Sequence, residues 1–118
     1  MAAGDTSMMV IYVQSMANNS PADKWGSDSI KVALCTSTLT PSKTDTGPCW
    51  GAGGSQNYST NEVSAGGNYT AGGVALSGTT VTVASNVVKL NCTSPITWAA
   101  NASNPTNARW AIIYDNTT

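Results

Sequence analysis

The chain has no histidine, a single glutamate and only five basic residues in 118. Without histidine there is no Ser-His-Asp or Cys-His nucleophile system, and no imidazole metal site. Glu62 stands alone and the aspartates are scattered, so a paired-carboxylate hydrolase has little to work with. Five dispersed basic residues at a net charge of -1 argue against a nucleic-acid partner. No CxxC pair is present, which removes zinc-ribbon and thioredoxin-type readings. Long apolar runs are missing too. The longest near the N-terminus, residues 8–13, is too short for a membrane span or a signal-peptide core. Asp5 precedes it where a signal peptide carries positive charge. The expectation is synthesis in a cytoplasm, no export by the general secretory route and no membrane partner.

What the chain has instead is neutral polarity. Ser, Thr and Asn number 14, 16 and 11, about a third of the chain, while charged residues are 9% against about 25% in an average domain. At 41% hydrophobic and near charge balance, the chain does not have a disordered composition. Its length suits one domain with a real core. Six Asn-x-Ser/Thr sequons begin at Asn18, Asn57, Asn68, Asn91, Asn101 and Asn116. In a chain this rich in Asn, Ser and Thr they are read as compositional.

Periodicity gives a coarse layout. Met9, Tyr12, Val13 and Met16 share a helix face, which predicts a short N-terminal helix, although the β-branched core of that stretch also suits a strand. Residues 30–36 (IKVALCT) read as a strand. Residues 37–64 carry little apolar periodicity and several Gly and Pro, and read as a long irregular loop. An AGG-x-Y-x-AGG near-repeat spans 65–73, its glycines suiting positive φ or close backbone approach. Strands are expected at 74–76, 79–84, 87–92, 96–98 and 108–114, with a turn at Ser85-Asn86. In the last, Trp110, Ile112 and Tyr114 share one face and Arg109, Ala111 and Ile113 the other. Both faces are largely apolar, which suggests a central strand. The fold class expected is all-β: a single-domain antiparallel β-sandwich or barrel over residues 1–118, with about 6–8 short strands and low helix content.

No constellation supports chemistry. The glycine-rich stretches 51–54 and 66–73 lack the Gly-Lys-Ser/Thr ending of a phosphate loop. The acids lack the D-x-D-x-D spacing of a calcium loop. No catalytic residue, cofactor or metal is expected. Cys35, Cys49 and Cys92 read as buried free thiols behaving like small hydrophobes, with a Cys35–Cys49 bridge as the other option. Trp98 and Trp110 sit in strand positions and are expected in the core. Trp50, in a polar loop, is the better contact residue, and Arg109 beside core positions would need a partner if buried. The candidate assembly contacts are Trp50, Tyr58, Tyr69, Arg109 and Tyr114. This profile fits a component of a larger assembly.

Three blocks carry a resemblance. They are Ile30-Lys31-Val32-Ala33-Leu34-Cys35-Thr36-Ser37 with Thr40-Pro41; Asn61-Glu62-Val63-Ser64 through Asn68-Tyr69-Thr70-Ala71-Gly72-Gly73; and Ile96-Thr97-Trp98 with Ala108-Arg109-Trp110-Ala111-Ile112-Ile113-Tyr114-Asp115. Together, over about residues 28–115, they resemble a family of small virion structural proteins of tailed bacteriophages. The NEV…YTAGG and AR[YW]AxIY blocks are the specific parts. The Met-rich N-terminus, Cys49-Trp50 and the 51–54 glycines depart from that pattern. The resemblance implies a non-enzymatic virion protein, within that class a capsid decoration (cement) protein on the head exterior. Its partners would be the major capsid protein and itself, as a homotrimer at three-fold positions. Family members continue past the AR[YW]AxIY strand, which implies a shortened fold here or a last strand completed by a neighbouring subunit. The alternative is a tail, fibre or baseplate component that binds a host-surface glycan through Trp50, Tyr58 and neutral amides.

Overall fold

The structure is a computed structural model, and it describes residues 25–85 and 87–117. The expected N-terminal helix lies outside the described residues. Strand is 35% and helix 4%, so the chain is all-β. Among the described residues seven strands follow in order: β1 Ile30–Thr36, β2 Pro48–Cys49, β3 Gln56–Asn57, β4 Val74–Ala75, β5 Thr80–Ala84, β6 Val87–Asn91 and β7 Ala108–Asp115. A 3-10 helix, Tyr58–Asn61, lies between β3 and β4.

β1 is the organising strand. It lies in the middle of a three-stranded sheet ordered β4-β1-β7, antiparallel to both neighbours. Ile30, Val32, Ala33 and Cys35 are all buried, so both of its faces are covered. Its apolar residues, with β-branched Ile30 and Val32 among them and Lys31 the one charge, suit such a doubly covered position. β7 was expected in the centre; among the described residues it pairs with β1 alone and stands at the edge of the sheet. Its two faces are as the alternation implies: Trp110, Ile112 and Tyr114 are half-buried, while Arg109, Ala111 and Ile113 are exposed. Composition alone could not separate a covered apolar face from an uncovered one, and Ile113 remains 56% exposed.

β5 and β6 form a separate two-stranded antiparallel hairpin, in register from Thr80↔Asn91 to Ala84↔Val87. Ser85 takes φ 51 at its turn, a left-handed conformation that tight hairpin turns require. Hydrogen bonds beyond the ladder close its base. Thr93 donates from its amide and hydroxyl to the Ser77 carbonyl, and Trp25 Nε1 donates to the Asn91 carbonyl at 3.0 Å.

Two expectations need correction. Residues 96–98 are not a strand; Pro95 offers no N–H, and this segment finds no ladder partner among the described residues. The 37–64 stretch is not merely a loop. It contains the 3-10 helix and the parallel two-residue pair β2-β3, and it delivers Leu39, Tyr58 and Val63 to the core. Cys35, Leu39 and Tyr58 form one buried cluster, against which Trp50, Trp110 and Ile112 pack. Single apolar residues far apart in the sequence show no periodicity, yet each can reach the same core.

Asn57 organises this segment locally. Its Oδ1 accepts from the amides of Ser59 at 3.0 Å and Gly51 at 2.9 Å, and from the Ser59 hydroxyl at 2.8 Å. That caps the 3-10 helix and fastens the glycine-rich 51–54 turn to it.

Candidate functional site

The residues that carry the specific sequence blocks converge beside β1. β4 pairs with β1 only at Lys31 and Val32, so the rest of that β1 edge needs other partners. Glu62, the C-cap of the 3-10 helix, bridges antiparallel to Cys35, and the Val63 amide donates to the Leu34 carbonyl at 3.0 Å. The Leu34 amide would be left without a partner. It donates instead to the hydroxyl oxygen of Tyr69 at 2.9 Å. A phenol thus completes a backbone ladder, satisfying a donor that would cost about 1–3 kcal/mol if buried unpaired.

Tyr69 in turn donates to Glu62 Oε1 at 2.8 Å, and the Gly72 amide donates to the same oxygen at 2.6 Å. Tyr114, on β7, donates to the Gly72 carbonyl at 2.8 Å. Trp50 stacks on Tyr114 with ring centres 4.6 Å apart and planes 14° from parallel. Trp98 packs tilted on Tyr69 at 5.6 Å. The adjacent Gly73 has φ 68, and a Cβ there would collide with the Val32 carbonyl oxygen. The YTAGG block therefore needs its second glycine for close backbone approach.

The phenols of the hub keep their protons. Burial, with Glu62 close by, pushes the Tyr69 phenol well above the ordinary tyrosine range. Burial and then the Glu62 charge also push Tyr114 upward. Both phenols are therefore donors at neutral pH. Cys35 is pushed up to about 11 by burial first and Glu62 second, which makes it a thiol and not a nucleophilic thiolate. Glu62 Oε1 is engaged by two donors, the arrangement of a structural acceptor.

Of the candidate contacts, Trp50, Tyr69 and Tyr114 meet in this hub. Tyr58 lies in the adjoining core cluster, 3% exposed, and donates to Asp45 Oδ2. Arg109 stands apart, exposed on β7, its guanidinium 5.7 Å from the centre of the Trp110 ring. Trp110 is half-buried and donates from Nε1 to the Leu39 carbonyl at 2.9 Å. Trp98 is half-buried as well, with its Nε1 buried and without a hydrogen-bond partner among the described residues. All three cysteines are free: Cys35 buried, Cys49 half-buried, Cys92 exposed. Sequence reasoning weighed Glu62 as a catalytic or metal carboxylate or, by default, a solvated loop acid, and missed it as the hub. Its position as the only glutamate in a chain of few charges, at the head of the NEV…YTAGG block, was the available signal.

Among the described residues no group of three His, Cys, Asp or Glu is placed to hold a metal, and no helix is long and apolar enough to cross a membrane. No protein-family model matches the chain, and neither a curated protein nor a solved structure does.

Proposed function

We propose that this chain is a non-enzymatic structural protein of a tailed-phage virion, and within that class a decoration or cement protein. It sits on the head exterior over joints between major capsid subunits, after synthesis in the host cytoplasm. The observation that carries the reading is the use made of the two most specific blocks. NEV…YTAGG and ARWAIIY are joined to each other through Glu62, Tyr69, Gly72 and Tyr114, and their polar groups are used on one another. Residues spent in this way maintain a rigid scaffold and leave little for turnover. The small sheets then belong to the β-sandwich or barrel that the strand spacing implies.

The chemistry of the surface supports the same reading. A partner would meet mostly hydroxyls, amides and small apolar side chains, with 9% charged residues in the chain. Binding of that kind depends weakly on ionic strength, because few charges are present to be screened. The glycan-binding alternative has less support. Tyr58 is buried, and one face of Trp50 is covered by Tyr114.

The deciding experiment is comparison of particles with and without this protein under heat and osmotic challenge, with its copy number measured. A cement protein is expected in numbers matching the capsid lattice, and particles lacking it should burst earlier. Equal survival, a tail-like copy number, or steep shedding as salt rises would refute the reading.

A further inference from the structure

The outer edge of β7 has a direction and a chemistry of its own. The Leu34 amide and carbonyl point away from β7, to Tyr69 and Val63, and the Ile30 carbonyl points the same way, to the Leu76 amide. Backbone groups alternate along a strand, so Lys31, Ala33 and Cys35 face β7, where they oppose Tyr114, Ile112 and Trp110. The amides and carbonyls of Ala111 and Ile113 therefore point to the outer edge. No other described strand pairs there.

Edge strands are usually blunted by charge, proline or a bulge. In β7 those devices stand only at the ends. The register with β1 slips between Trp110 and Ala108, leaving Arg109 as the extra residue, and Asp115 closes the other end. Between them Ala111, Ile112 and Ile113 carry no charge and no proline, and both Ala111 and Ile113 are exposed.

We propose that β7 pairs antiparallel with β7 of a second copy of this chain, about a two-fold axis through Ile112. In that register Ala111 lies opposite the second copy's Ile113 and the reverse, each pair exchanging both backbone hydrogen bonds. Arg109 then lies opposite Asp115 of the other copy, twice by symmetry. Charge complementarity selects this arrangement, since a parallel pair would place Arg109 against Arg109. Each Arg109 sits at the bulge, exposed, and its guanidinium would leave the face of Trp110 to reach across. The contact is isologous and closes on itself. It is small, so the pair forms in the micromolar range. The two-fold pairing stands independently of the capsid reading, and differs from the three-fold arrangement that reading implied.

The test is sedimentation equilibrium of the purified full chain from about 1 to about 100 micromolar. A reversible species of twice the 12.1 kDa chain mass is expected. Asp115→Arg should weaken association about tenfold by placing like charges opposite each other, and adding Arg109→Asp should restore it. Ala111→Pro removes an amide that β1 does not use, so it should abolish pairing while circular dichroism stays native. A monomer throughout, a trimer, a dimer indifferent to Ala111→Pro, or failure of the double charge reversal to rescue would each overturn the proposal.

Discussion

The Tyr69 hydroxyl lies 2.8 Å from Glu62 Oε1 and at the same time accepts the Leu34 amide, so one phenol joins a carboxylate to the central strand. Seven residues separate Tyr69 from Glu62 and thirty-five separate it from Leu34. The two halves of the NEV…YTAGG block are therefore one structural device.

Removing that hydroxyl should be expensive. Tyr69→Phe leaves the Leu34 amide without its acceptor and Glu62 with one donor fewer. A loss of about 1–3 kcal/mol is expected in urea denaturation. Glu62→Gln keeps an acceptor oxygen and should lose less than Glu62→Ala. If Tyr69→Phe unfolds at the parent midpoint, the hydroxyl does not complete the ladder.

The two glycines that end the block should behave differently. At Gly73 a Cβ would overlap the Val32 carbonyl, so Gly73→Ala should lower the melting temperature severely or prevent folding. At Gly72 the nearest non-local side-chain atom is the Tyr114 hydroxyl at 3.5 Å, so Gly72→Ala meets mainly the strain of φ 80, about 1 kcal/mol. Thermal melts of the two variants compared directly provide the check.

Thiol chemistry should rank by burial. At neutral pH a maleimide should label Cys92 quickly, Cys49 more slowly, and Cys35 only when the protein unfolds. Intact mass before reduction should show three free thiols. Rapid labelling of Cys35 would mean that the core around Tyr58 opens readily.

Alkaline pH should unfold the protein. Burial first, then the hydrogen bond and charge of Asp45, pushes Tyr58 from its ordinary 10.0 to about 12. The unfolded phenol ionises near 10, whereas the folded one holds its proton longer. Its contribution to stability is thus complete below pH 10 and lost as pH rises through about 12. Cys35, moved from 9.0 to about 11, acts in the same direction. Denaturant midpoints should be level across neutral pH and fall between about pH 9 and 12. In Tyr58→Phe the upper part of that fall should shrink.

Trp50 should matter to stability as well as to any contact it makes. Trp50→Ala removes the stack on Tyr114 and part of the packing against Cys35, Leu39 and Tyr58, and should cost about 3 kcal/mol or more. Denaturant unfolding followed by far-ultraviolet circular dichroism would detect it.

Local pattern was enough for the all-β character and for most of the strands. The apolar runs at 30–36 and 108–115, and the Ser85-centred hairpin, are signals written over a few consecutive positions. The glycine pair at 72–73 likewise announced a position where a side chain would not fit. These features depend on backbone sterics and alternation, which act between near neighbours in the chain.

Tertiary structure alone decided the rest. Whether β7 or β1 lies at the centre depends on which strand finds partners on both edges, and apolar content is similar in each. That Leu39, Trp50 and Tyr58 of the 37–64 stretch belong to the core depends on where a non-periodic chain returns in space. Glu62 is the hub only because the fold brings Tyr69 and Gly72 to it beside the β1 edge that β7 does not pair. Sequence determined which segments could be extended; long-range packing determined which of their edges and faces were left open.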